Sequence, residues 1–137
     1  MTMHFFVPGP PVGKGRPRVA VHGGHAHAYT PDRTVDYEWL VSHCYKGQCA
    51  GAFAANAPVS VEIVALYPIA KSATKTERAA MLAGEILPTK KPDVDNVLKI
   101  ILDALNGLAY PDDKQVVYTS VRKKYAEEPG VWVALEG

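Results

Sequence analysis

The chain is predicted to be an α/β domain with a mixed β-sheet, its elements running strand, helix, strand, helix, strand, strand. Three observations predict this. The run Val59-Ser60-Val61-Glu62-Ile63-Val64-Ala65-Leu66-Tyr67 is β-branched and alternates with a period of two. Between residues 94 and 108, Val94, Val97, Leu98, Ile101, Leu102, Leu105 and Leu108 follow helical spacing. The length of 137 residues fits one domain, 1–137, large enough to bury a core without disulfide or metal staples.

The elements follow in order. Met3-His4-Phe5-Phe6-Val7 reads as a first strand, with Phe5 and Phe6 in core and edge positions, stopped by Pro8-Gly9-Pro10-Pro11. The next twenty residues, rich in glycine, proline and histidine, form a long loop or a loose hairpin around Gly23-Gly24. Thr30-Pro31-Asp32 reads as a helix start, with Thr30 as N-cap and Pro31 in the first position. Val35, Trp39, Leu40 and Tyr45 mark its apolar side, and it ends by Gly51. After the strand at 59–67, residues 71–89 are a polar connection with a short helical piece from Thr76 to Leu82. The second main helix stops at Gly107 and carries Asp95, Lys99, Asp103 and Asn106 on its opposite stripe. Gln115–Tyr125 reads as a strand with Val117, Thr119 and Val121 on one face, and Glu128-Pro129-Gly130 turns the chain into Val131-Trp132-Val133-Ala134-Leu135. The last two strands are expected to pair as an antiparallel hairpin. Trp39 and Trp132 are expected in the core.

The net charge of +1 gives no hint of a polyanionic partner, but its distribution does. Residues 1–31 hold Lys14, Arg16 and Arg18, no acid, and four of the five histidines. Residues 93–113 hold Asp93, Asp95, Asp103, Asp112 and Asp113 against Lys99 alone, and residues 114–124 hold Lys114, Arg122, Lys123 and Lys124 with no acid. A knot of carboxylates thus sits between two basic flanks. No apolar run approaches the ~18 residues that a membrane span requires, and MTMHFFVPGP lacks a basic leader, so a cytoplasmic protein without membrane contact is expected. Cys44 and Cys49 are too few to close a structural zinc site.

In Lys91-Pro92-Asp93-Val94-Asp95-Asn96 two carboxylates stand at i and i+2 immediately before a helix. Extended backbone would point both to one side, and Pro92 favours an extended approach. Convergent carboxylates repel, and a divalent cation relieves the repulsion. If the strand that begins near Gln115 lies beside the helix entrance, Asp112 or Asp113 completes a three-carboxylate site. Hard oxygen donors point to Mg²⁺ or Mn²⁺ rather than zinc. Lys99 lies one turn beyond Asp95, where its ammonium can offset charge on a phosphoryl group. Each residue also has a plain structural explanation: Asp93 or Asp95 as an N-cap, Asp112-Asp113 as a turn, Lys99 paired with Asp103.

Three other signals are weaker. Gly9-Pro10-Pro11-Val12-Gly13-Lys14-Gly15 is one residue short of the P-loop spacing and lacks the following Ser or Thr. His22, His25 and His27 fit a solvated hairpin tip better than a metal site. A nucleotide-sugar or phosphatase Asp-x-Asp usually follows a buried apolar strand, whereas Leu87-Pro88-Thr89-Lys90-Lys91 precedes this one.

Lys91-Pro92-Asp93-Val94-Asp95-Asn96-Val97-Leu98-Lys99, then Leu102-Asp103-Ala104-Leu105-Asn106-Gly107 and Asp112-Asp113-Lys114-Gln115-Val116, resembles the RusA family of Holliday junction endonucleases over about a quarter of the chain. Gly13-Lys14-Gly15-Arg16-Pro17-Arg18 and Tyr29-Thr30-Pro31 resemble its phage and prophage branch, less specifically. The resemblance implies a small homodimer that cuts four-way or other branched DNA in paired symmetrical nicks with Mg²⁺ during recombination and repair. It implies Asp93, Asp95 and Asp113 as metal-binding carboxylates, Lys99 as an essential lysine, and Asn96 and Asp112 beside the site. Phosphate contacts are expected from Lys14, Arg16, Arg18, Lys91, Arg122, Lys123 and Lys124. The alternative is a non-catalytic binder of branched DNA with a structural ion. One bound Mg²⁺ would raise the subunit from +1 to +3, so DNA affinity is expected to depend on divalent ions.

Overall fold

The structure is a computed structural model that describes residues 1–29 and 31–137. Its centre is a four-stranded sheet in the order β1-β6-β4-β5, formed by β1 (Thr2–Pro8), β4 (Val59–Pro68), β5 (Val116–Ala126) and β6 (Gly130–Glu136). The alternation along β4 buries Val59, Val61, Ile63, Ala65 and Tyr67 on one face. Phe5, Val131, Val133 and Leu135 continue that face on the neighbouring strands. Two helices supply the opposing layer. In α1 (Asp32–Gln48) the buried stripe is Thr34, Tyr37, Val41 and Tyr45, and in α3 (Val94–Leu105) it is Val97, Ile100, Ile101, Ala104 and Leu105. A short α2 (Lys75–Leu82) opens on a capping box in which Thr74 and Glu77 satisfy each other's backbone N–H groups. Gly107, at φ +76°, ends α3 in the backbone region that glycine tolerates.

The hairpin alternative for the glycine-rich segment is the one found. β2 (Arg18–His22) and β3 (His25–Tyr29) pair antiparallel, with Gly23 and Gly24 both at positive φ, as a type I′ turn requires.

Several expectations are corrected. β5 and β6 do not pair: β5 lies parallel to β4, β6 antiparallel to it, and β4 stands between them. The turn at residues 127–129 crosses the end of β4, because β4 is apolar enough to be buried on its inner face while paired on both edges. Trp39 is 64% and Trp132 48% exposed. On α1 the inward stripe runs through Thr34 instead, whose hydroxyl is buried because it accepts the Gly15 N–H at 3.0 Å; Val35 is exposed with Trp39. Trp132 falls on the outer face of the sheet, against Phe6 with ring centroids 4.8 Å apart. Pro31 occupies the cap position of α1 rather than the first helical one, and Thr30 lies outside the described residues. Val94 of the expected apolar stripe is exposed. Among the described residues, no helix is long and apolar enough to cross a membrane.

A candidate nuclease site on a cationic cleft

The site begins at the C-terminal end of β4. There Tyr67 donates a hydrogen bond from its hydroxyl to the Pro92 carbonyl at 2.5 Å, which ties the approach to α3 onto the sheet. The Lys91–Pro92 peptide is cis. Burial, with the nearby Asp93 charge adding to it, pushes the Tyr67 phenol up to about 12. Asp93 is the last extended residue before α3, at φ −73° and ψ 158°, and Asp95 is in the first helical turn. Asp93 makes no side-chain capping bond. Among the described residues neither carboxylate is taken up by an ion pair. The plain capping explanation therefore does not describe Asp93. Both carboxylates stand at a helix N-terminus, whose unpaired N–H groups favour negative charge.

The N-terminal arm faces Asp93 across a cleft of about 790 Å³. It is seated by two close approaches that only glycine permits. A Cβ on Gly13 would lie 2.9 Å from Pro92 Cβ and 3.0 Å from Asn96 Cβ, and one on Gly15 would lie 2.6 Å from Thr34 Oγ1. The Lys14 N–H donates to the Asn96 carbonyl at 3.0 Å between them. Arg16 and Arg18 of the arm, Arg33 of α1, and Lys90 and Lys91 before α3 line this cleft, with Asp93 and Asn96 on its wall. Arg33 and Lys90 belong to no motif in the sequence. Arg33 carried one signal: a cation in the first turn of a helix opposes the helix dipole and so asks for another reason to be there.

The parallel pairing of β4 with β5 brings Lys123 to the same end. Its ammonium donates to the Lys90 carbonyl at 2.6 Å and lies 5.0 Å from the centre of the Tyr67 ring. Arg122 and Lys124 stand in register with Val64 and Leu66, on the opposite face of the sheet from Lys123 and Ala65. The strand's pleat thus splits the expected basic triplet, and Lys123 is the member that reaches Lys90 and Tyr67 of the cleft.

Lys14 is not free for phosphate. Its ammonium is held by Glu38 at 3.2 Å and Asp103 at 3.1 Å, so it pins the arm to α1 and α3. Burial works to lower its pKa, but the bonds to Asp103 and Glu38 outweigh it and the net shift is upward. Lys14→Ala is therefore expected to destabilise the fold by about 1 kcal/mol in chemical denaturation near neutral pH. Because the folded pKa is the raised one, that contribution is complete below about pH 10.5 and lost as pH rises through the folded value. A stability gap between variant and native protein that grows with pH above this range would contradict the assignment. Lys99 leans on Asp103, four residues on, at 3.1 Å, yet remains 59% exposed and free to swing.

Asp113 is not beside Asp93 and Asp95. A parallel β4–β5 pair obliges the chain to return to the start of β4, and Val116 indeed pairs with Val59 at the far end of the sheet. The Asp113 N–H donates to Asn106 Oδ1 at 3.0 Å, beyond the C-terminal end of α3. From Asp95 to Asn106 is eleven residues, or about 16 Å along the helix axis. Asp112 caps the 3-10 turn Asp113–Gln115, accepting the Lys114 N–H at 3.0 Å. Burial, with the charges of Asp113 and Asp103 adding to it, holds the Tyr110 phenol above its usual value, so Asp113 lies with Tyr110 at that far end. Among the described residues no group of three or more His, Cys, Asp or Glu side chains is placed to hold a metal. What the chain does offer is a pair of carboxylates outside any ion pair, beside a cationic cleft. That donor set fits Mg²⁺, which commonly takes one or two carboxylates and completes its octahedron with water and substrate phosphate.

A curated relative from Bacillus subtilis (strain 168), described as the uncharacterized protein YqaN, is 38% identical over 133 residues, covering 96% of this chain and 93% of its own. Residues 8–136, which include the arm, the carboxylate pair and the whole crossover to β6, match the family model described as Endodeoxyribonuclease RusA. A cationic cleft with Asp93 on its wall, and Asp95 in the helical turn that follows, is thus found in a chain that belongs to the RusA endodeoxyribonuclease family.

Proposed function

We propose that this protein is a Mg²⁺-dependent, structure-specific endodeoxyribonuclease that resolves four-way DNA junctions by paired nicks, acting as a homodimer in recombination and repair. The observation that carries the reading is the uncapped Asp93 carboxylate on the wall of a cleft lined by five cations. Family membership supports the nuclease chemistry and a branched DNA substrate.

Arg16, Arg18, Arg33, Lys90 and Lys91 clamp the phosphodiester backbone, positioning it without reading its sequence. Asp93 and Asp95 hold the cation, with the α3 N-terminus behind them and Tyr67 fixing the Pro92 carbonyl next to Asp93. When bound, Mg²⁺ supplies Lewis-acid polarisation of the scissile phosphate and activation of water. Lys99 swings from Asp103 to offset charge that builds on the phosphoryl group.

The third carboxylate comes from the second subunit in this reading. A two-fold axis near the middle of α3 would set two copies of the helix antiparallel, bringing Asp113 of the partner subunit to Asp93 and Asp95 and repeating the contact in reverse. Val94, exposed, and Leu98 and Leu102, half-buried, lie at i, i+4 and i+8 along α3, an apolar line left over beside Asp95 and Lys99. It suits a helix–helix contact.

The test is a synthetic four-way junction incubated with the protein and Mg²⁺ or Mn²⁺. Symmetrically placed nicks are expected; binding without nicks in either metal would leave a branched-DNA binder instead.

A further inference from the structure

The β2–β3 hairpin is the least supported part of the fold. All of β3 is exposed, as is β2 apart from a half-buried Ala20, and Val19 and Val21 are each 68% exposed. A two-stranded ribbon alone in water is marginal at best, so a segment of this kind acquires its stabilising surface from a partner. Its register gives it two unlike faces. Arg18 pairs with Tyr29, Ala20 with His27 and His22 with His25, so one face carries Arg18, His22, His25, His27 and Tyr29, while Val19, Val21, Ala26 and Ala28 form the other. On the first face the rings of His22 and His27 stack with centroids 5.2 Å apart. No acidic side chain occurs anywhere in residues 1–31.

The position of the ribbon indicates its partner. Its first strand begins at Arg18, which also lines the cationic cleft together with Arg16, so the face of histidines continues the surface proposed to clamp DNA. A two-stranded ribbon has the width to lie in the major groove of B-DNA. Five residues per strand extend it about 17 Å beyond the cleft, or roughly five base pairs at 3.4 Å each.

We propose that the β2–β3 hairpin is a DNA-contacting arm. It lies along the duplex leaving the active site, with Arg18, His22, His25, His27 and Tyr29 supplying donors and ring faces to the backbone and base edges. This extends the endonuclease reading and depends on it, since the duplex must be the one that the cleft holds.

Two variants test it. One carries His22→Ala, His25→Ala and His27→Ala together; the other replaces residues 19–28 by Asn-Gly, which can join the paired positions 18 and 29 in a two-residue turn. Both are measured against the native protein on a four-way junction in Ca²⁺, by affinity, by chemical footprinting and by oligomeric state, with thermal melting to show that the body of the fold is intact. The triple variant is expected to bind about tenfold more weakly, with a protected stretch shorter by roughly five base pairs. The ribbonless protein should match or exceed that loss. Native affinity and footprint in both variants would overturn the proposal. So would a shift from dimer to monomer in the ribbonless protein, which would make a second copy of the chain the occupant. If the native protein itself fails to bind junctions, the endonuclease reading fails first, so the two failures are distinguishable.

Discussion

Asp93→Asn is expected to slow strand cleavage by at least about 10²-fold while junction binding survives. Asparagine has nearly the shape of aspartate and is equally acceptable at the start of a helix, so α3 should begin where it does now. Tyr67 should still hold the Pro92 carbonyl, because that bond uses backbone. What disappears is half of the anionic pair that one subunit offers to a cation. With no divalent ion present, affinity for a junction should be retained or rise, since a negative charge leaves a cleft lined by Arg16, Arg18, Arg33, Lys90 and Lys91. Nicking of a labelled junction and gel-shift binding, measured on the same preparation, check the two halves. Undiminished cutting, or loss of binding with an unchanged melting temperature, would remove Asp93 from the assigned role.

The second large effect concerns the distance between Asp113 and the other two carboxylates. Asp113→Asn alone is expected to be as inactive as Asp93→Asn. Unfolding the two inactive variants together and letting them reassociate should restore nicking to about a quarter of the native rate. Half of the dimers formed at random are mixed. Each mixed dimer holds one composite site with Asp93 and Asp95 from one subunit and a native Asp113 of the partner subunit, and one site with neither native residue. If all three carboxylates served within one subunit, no mixed dimer would contain an intact site and nicking would stay at the level of the separate variants. The 16 Å or so of helix between Asp95 and Asn106 makes recovery the expected result.

What could be read from the residues was whatever is periodic or local. β4 and α3 were visible because their apolar positions repeat at 2 and at about 3.6, and the Gly23-Gly24 turn because two adjacent glycines suit positive φ. The carboxylate pair was visible because it immediately precedes the helix that displays it. Pairing between strands is not local. A short turn at 127–129 looks the same whether β6 joins β5 or passes over β4 to its far edge, and the choice rests on the second edge of β4 finding β6. That choice also sets the direction of β5, and with it the end of the sheet where Asp113 falls and the face to which Arg122 turns. The two tryptophans misled for a different reason. Size and hydropathy favour burial, but the inner face of α1 is occupied by Thr34, which accepts the Gly15 N–H of the arm, and by the buried Tyr37. Lys14 read as a free cation because its partners, Glu38 and Asp103, lie 24 and 89 positions away in the chain.

The strand order carries a consequence for the birth of the protein. β6 lies between β1 and β4 in the sheet, yet it follows both in the chain. While synthesis proceeds through α3 and β5, β1 has no strand beside it, and β4 has both edges open until β5 pairs with it and one open thereafter. The bonds that close the sheet, such as Phe5 with Val133 and Ile63 with Val133, span very different lengths of chain and form together when β6 arrives. A topology with so many distant pairings folds slowly. It also delays the candidate site. The arm that walls the cleft leads directly out of β1, so a nascent chain carries its aspartates and its cations well before it can hold them against each other.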